Sequence, residues 1–185
     1  MRTRRTLLAS GLTGLAAVAG CAALPSGRRT GDWEGRGNFD AADVDARIGF
    51  VGDLMLGRSV NERWADGDPA GVWGSTLPRL QALDGLVGNL ECCVSDRGTR
   101  WPDKVYYFRS APSFAIPALE AVDTSFVSLA NNHILDFQEP ALRDTRTHLR
   151  DADIARAGAG TDLGTALEPT TFEAGDLTVA AFGLT

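Results

Sequence analysis

Apolar positions fall along this chain in short blocks, and three of the blocks end abruptly in polar residues. Arg47 to Val51 runs into Gly52-Asp53. Leu86 to Leu90 closes on Asn89-Leu90-Glu91, and Thr124 to Ala130 closes on Asn131-Asn132-His133, with Asp136 three residues on. Runs this short, with both faces apolar, predict buried parallel strands. Helical spacing fills the intervals. Ser59 to Asp66 and Thr76 to Asp84 are predicted helices, the second with Leu77, Leu80 and Leu83 on one face and Pro78 in its first turn. Residues 66–69 read as a loop. Ser113 to Val122 predicts a helix that Pro117 breaks or kinks. Glu139 to Asp151 predicts a helix with Leu142, Thr145 and Leu149 on one stripe and arginines opposite, which leaves His148 solvated.

A polar loop at 96–103 precedes Val105 to Phe108, an aromatic run that predicts another strand. Ile154 to Ala157 predicts a strand entering Gly158-Ala159-Gly160, a weak phosphate-loop signal, and Thr161 is the expected cap of a brief helix to Leu167. Thr170 to Glu173 and Leu177 to Leu184, joined through Ala174-Gly175-Asp176, predict a hairpin. Strands alternating with helices give an α/β fold. The last apolar strand stops at Thr185 with no cap or closing helix, so the expectation is the first part of a longer domain.

The first residues follow another pattern. Arg2, Arg4 and Arg5 precede an apolar stretch from Leu7 to Ala19, shorter than the ~20 residues of a membrane span. It ends in Val18-Ala19-Gly20-Cys21, which reads as a lipobox, with Cys21 the lipidated residue; a plain secretory signal with an incidental cysteine is the competing reading. Arg4-Arg5 also has the look of a twin-arginine export signal. The organisation expected is a signal peptide over 1–21, a flexible tether over 22–45 rich in Gly, Arg, Asp and Ser, and a domain over 46–185. Trp33 and Phe39 are unusual for a tether and are candidates to dock on the domain. Such a protein is exported and held on the outer face of the cell membrane. One lipid chain anchors weakly, so a second chain or a membrane partner is expected.

Composition adds two constraints. The net charge is −6 and Lys104 is the lone lysine, which argues against nucleic acid as a partner. Arginine in place of lysine fits either a high-salt habitat or a GC-rich genome. With Cys21 assigned, Cys92 and Cys93 remain; neighbours pair poorly and lack zinc-site spacing, so they read as small buried residues.

The strand ends carry the candidate chemistry. Open α/β sheets bind ligands at the carboxyl edge of their strands. Asp53, Asn89, Glu91, Asn132 and His133 are oxygen and imidazole donors, a mixture that suits one or two divalent cations such as Mn, Fe, Zn or Mg. Period-two spacing puts Asn89 and Glu91 on one face. A pair of cations ~3.5–4 Å apart activates water for attack on a phosphoryl group. His133 is a candidate ligand or leaving-group acid, and Asp136 the residue that orients it. His133 is the one well-placed histidine, so either residues past Thr185 complete a dinuclear site or the site is degenerate. For each residue alone, a turn or cap is the competing role.

Phe50-Val51-Gly52-Asp53-Leu54-Met55-Leu56, Asn89-Leu90-Glu91, Leu129-Ala130-Asn131-Asn132-His133-Ile134-Leu135-Asp136 and Gly158-Ala159-Gly160 follow one another as in the CapA-type capsule-synthesis proteins, also called poly-gamma-glutamate biosynthesis proteins of the PgsA type. The resemblance covers about Arg47 to Thr185, and Asn-Asn-His-x-x-Asp is its most specific part. It implies an α/β, metallophosphatase-like layered sheet with flanking helices, similar to the calcineurin-like metallophosphoesterases. By that analogy Asp53 matches the first metal-binding aspartate, and Asn132 and His133 match the Asn-His pair. The implied role is synthesis or export of an anionic polyglutamate, within a membrane synthesis complex. A general metal-dependent phosphoesterase and a non-catalytic polymer-binding module on a degenerate phosphatase scaffold are the alternatives. Fold kinship alone does not establish phosphatase activity.

Overall fold

The computed structural model describes residues 45–185. The signal peptide with Cys21, the tether up to residue 44, and Trp33 and Phe39 lie outside the described residues.

Four strands form one parallel sheet: β1 (Ile48–Asp53), β2 (Gly85–Asn89), β5 (Thr124–Ser128) and β6 (Ala155–Ala157), in the order β1-β2-β5-β6. The order follows the sequence, so every crossover steps the same way. Crossovers of one hand that all step one way put their helices on one face of the sheet. The side chains agree. Alternate residues of β5 part company: Val127, with Leu129 beyond the strand, joins a cluster with Phe114, Ala118 and Leu119 of α3 (Pro112–Glu120) and Leu142 and Leu149 of α4 (Gln138–Asp151). Phe126 turns the other way and meets Phe172 at 5.9 Å between ring centroids. Phe172 belongs to β7 (Thr170–Ala174), which pairs with β8 (Leu177–Ala181) across the two-residue turn Gly175-Asp176. That hairpin covers the second face near β5 and β6. At β1 the same face carries Phe50, 76% exposed.

A smaller parallel ladder joins β3 (Cys93–Val94) to β4 (Arg109–Ser110). Its free edge is completed by α4: the Val94 amide donates to Thr145 Oγ1 at 2.8 Å, and that hydroxyl donates to the Ala141 carbonyl at 2.7 Å. Thr145 is fully buried, which explains a polar residue on the inward stripe of α4.

Several sequence expectations are corrected. Val105 to Phe108 forms no strand; the ladder begins at Arg109. Val105 and Tyr106 are 83% and 59% exposed, with no sheet neighbour to cover them, and the Phe108 amide is taken by Asp136. The helix expected over 76–84 is reduced to α2 (Leu77–Leu80), entered through a 3-10 stretch (Pro69–Thr76) that bends at Gly74. Asp84 is drawn off to close the start of the sheet: it accepts from the Arg47 amide at 2.7 Å and donates to the Arg47 carbonyl at 2.8 Å. Ser59–Trp64 is helical as α1, two residues shorter than expected. Pro117 does not end α3, whose buried face holds the helix through it. Asp162, not Thr161, caps α5 (Leu163–Leu167), accepting from the Thr165 amide at 2.8 Å. Cys92 and Cys93 are buried and unpaired, and burial pushes both thiols up to about 12, which keeps them inert at neutral pH.

Thr145→Val is expected to leave the buried Val94 amide without an acceptor. It should lower unfolding free energy by roughly 1–3 kcal/mol in urea titrations, with Thr145→Ser restoring most of the loss. A Thr145→Val protein as stable as wild type would mean that α4 does not complete the β3 edge.

Candidate functional site

The parallel sheet delivers three strand ends to one edge. Asp53 is the last residue of β1, Asn89 the last of β2, and Asn131 lies three residues past β5. Register brings them level: Asp53 pairs with Asn89, and Asn89 with Ser128. Gly52 has no left-handed backbone and open space where a Cβ would stand, so β1 runs through it without a turn to Asp53. The glycine that matters for this approach is Gly57. A Cβ there would lie 2.8 Å from the Arg109 carbonyl oxygen, so its absence lets the chain after β1 close on β4. Gly158, at φ +94°, lies against Ala130 in the same manner, which makes it a packing glycine.

Side chains bond across these ends. The Asn89 amide nitrogen donates to Asp53 Oδ1 at 2.9 Å and to Glu91 Oε2 at 2.5 Å. Its oxygen accepts from the Asn131 amide at 3.0 Å. Asn131 also donates to the Leu90 carbonyl at 2.8 Å, while its own oxygen accepts from the amides of His133 and Ile134, each at 3.0 Å. Asn131 therefore shapes the turn that presents His133 and ties it to β2. From sequence alone Asn131 had no role of its own. Its signal was the doubled asparagine, of which one side chain must serve the backbone.

His133 is buried between two partners. Its ring stacks on Phe108, with centroids 3.9 Å apart and 20° between planes. Its Nδ1 lies 2.7 Å from Asp136 Oδ2. Asp136 is fully buried, and the same oxygen accepts from the Phe108 amide at 2.7 Å. Its other oxygen bonds Lys104 Nζ, which also donates to the Asn132 carbonyl at 2.5 Å. A carboxylate so placed holds the proton on Nδ1 and leaves Nε2 as the base or ligand atom. Nε2 points to Glu91 Oε1, 3.8 Å away. Lys104, the lone lysine, is the other residue that sequence reasoning passed over; nothing in the loop around it marked a partner 32 residues away.

The structure thus brings together Asp53, Asn89, Glu91, His133 and Asp136. It does not bring in the Asn132 side chain, which is exposed and enters none of these bonds. As donors, two carboxylates and an open imidazole nitrogen suit a hard or borderline divalent cation. They do not form a ready cage. Among the described residues no three His, Cys, Asp or Glu side chains stand close enough to hold a metal ion, and the Asn89 amide sits between the two carboxylates.

Comparison with known proteins gives the context. A probable polyglutamine synthesis accessory protein of Mycobacterium tuberculosis is 40% identical over 93 residues, covering 49% of this chain and 24% of that protein. The PGA biosynthesis protein CapA of Bacillus subtilis is 25% identical over 138 residues, 74% of this chain and 36% of the relative. The capsule biosynthesis protein CapA of Bacillus anthracis is 30% identical over 114 residues, 60% and 28%. The chain thus spans between 24% and 36% of the length of these relatives. A family profile matches residues 47–185, which takes in the whole site, and the protein belongs to the bacterial capsule synthesis protein family PGA_cap.

Proposed function

We propose that this protein assists the synthesis or export of an anionic, polyglutamate-like capsule polymer from the outer face of the cell membrane, where Cys21 anchors it. Support comes from the names of its relatives and from the N-terminal pattern that ends in Val18-Ala19-Gly20-Cys21. The observation that carries the reading is one hydrogen-bonded network at one sheet edge, in which Asp53, Asn89 and Glu91 are tied through Asn131 to His133 and Asp136. Residues that served only as separate turns and caps would have no reason to interlock.

The same edge is the proposed seat of a divalent cation, with Asp53, Glu91 and His133 Nε2 as donors once the Asn89 amide turns its oxygen inward. When bound, such a cation polarises an oxyanion and acidifies water. The chain's own residues supply the rest. Asp136 and Lys104 keep the His133 proton on Nδ1, Phe108 shields one face of the ring, and Asn131 holds the turn in place. With no cation on it, that same Nε2 lone pair is set to take a proton from a group bound beside Glu91. That one arrangement also favours a second reading, phosphoester hydrolysis, over a purely binding role.

Deleting the gene is expected to lower surface polymer, and wild-type chain to restore it; His133→Ala or Asp53→Asn should not restore it. Unchanged polymer in the deletion strain would overturn the function. Cys21→Ser is expected to move the protein from the membrane to the soluble fraction, and retention at the membrane would refute the anchor. Titration of the full protein with Mn²⁺ should give saturable heat that Asp53→Asn and Glu91→Gln each abolish. Equal heats in the variants would place the cation elsewhere.

A further inference from the structure

Beside the His133 site lies a second concavity, a cleft of about 710 Å³. Arg58, Arg100 and Arg109 line it, against two acids, Glu62 and Asp96. In a chain of net charge −6 this is a local surplus of positive charge. Among the described residues none of the three arginines forms a salt bridge, whereas Arg97, Arg143 and Arg150 each hold a carboxylate.

The three guanidiniums rest on aromatic rings instead. Arg58 stands 5.6 Å from the Tyr106 centroid and 5.7 Å from that of Phe108. Arg100 stands 5.0 Å from Tyr107, and Arg109 4.0 Å from Phe137. Stacking holds a guanidinium in one orientation and leaves its edge N–H groups open for two parallel bonds to a carboxylate. Arg58 also has φ +54°, outside the regions that side-chain-bearing residues favour. Strain of that kind is held where the surrounding structure needs it. The exposed Val105 and Tyr106 add apolar surface between the charges.

We infer that this cleft binds the polymer itself, as a flexible polyamide chain bearing carboxylates at regular intervals. Each arginine has its own aromatic support, so the cations form separate forks. One phosphate would need them to converge on a point; a chain with spaced carboxylates meets them one by one. One residue links the cleft to the His133 site. The Phe108 ring that lies near Arg58 is the ring stacked on His133, and Arg109 is the next residue. This inference rests on the proposed role with an anionic polymer, and it adds where that polymer lies.

The test is fluorescence anisotropy of labelled polyglutamate with the full protein, competed by unlabelled polyglutamate, polyglutamine or inorganic polyphosphate. Wild type is expected to bind, more weakly as salt rises. Polyglutamate should compete, and the two other polymers should compete poorly. The Arg58→Gln/Arg100→Gln double variant should raise Kd about tenfold or more, the scale expected when charge-assisted bonds are lost. Arg58→Lys/Arg100→Lys should fall between, because charge is kept and the fork is lost. Arg79→Gln, on an exposed surface away from the cleft, should bind as wild type does. Circular dichroism reports whether each variant is folded. Absence of binding by wild type, unchanged affinity in the folded double variant, or equal competition by polyphosphate would each overturn the cleft. Unchanged surface polymer in the deletion strain overturns the proposed function instead, so the two failures are distinguishable.

Discussion

Asp136 is a carboxylate removed from water, and such a group is tolerated only when hydrogen bonds and a cation replace the lost hydration. Three groups do so here: the Phe108 amide, Lys104 Nζ and His133 Nδ1. Each partner drags a piece of chain with it. Lys104 and Phe108 bring the loop that leads to β4, and the Trp101 amide adds a bond of 2.8 Å to the Asp136 carbonyl. His133 brings the turn after β5. One buried charge thus pins two irregular segments that neither helix nor ladder would hold. It also decides which nitrogen of His133 faces the strand ends.

The sheet supplies the other half of the constraint. Parallel strands in sequential order present their carboxyl ends along one edge, and a register that pairs Asp53 with Asn89 sets those side chains within bonding distance. Helices crowd one face, and the hairpin of β7 and β8 covers part of the other. The candidate residues therefore gather at the strand ends, whose positions the ladder fixes. The loop between β3 and β4 lies outside the ladders, and it supplies Arg100, Val105, Tyr106 and Tyr107 to the arginine-lined cleft.

Much of this was legible from residue pattern, and the failures have physical causes. β2 and β5 showed as apolar runs because a sheet stepping in one direction buries them against helices, whereas β1, an edge strand expected to be buried, is exposed from Phe50 to Asp53. Asp53, Asn89, Glu91 and His133 stood out because each broke such a run with a donor-bearing side chain. Val105 to Phe108 misled because β-propensity describes a half-buried pleated surface, and no neighbouring strand provides one there. Thr76 to Asp84 lost most of its helix because Asp84 bonds to Arg47, a tertiary pairing that no local window contains. Asn131 and Lys104 stayed hidden for the same reason. Their importance lies in partners 42 and 32 residues away. The choice between Asn131 and Asn132 turned on backbone bonds to His133 and Ile134, which sequence spacing does not separate.

Asp136 fixes His133 with its proton on Nδ1 and Nε2 open toward Glu91. Nitrogen-15 NMR of the imidazole reads this directly, because protonated and unprotonated ring nitrogens resonate far apart. At a pH where the ring is neutral, His133 is expected to show Nδ1 protonated and Nε2 bare, and Asp136→Asn should disturb that tautomer. A His133 signal with the proton on Nε2 in the wild-type protein would contradict it.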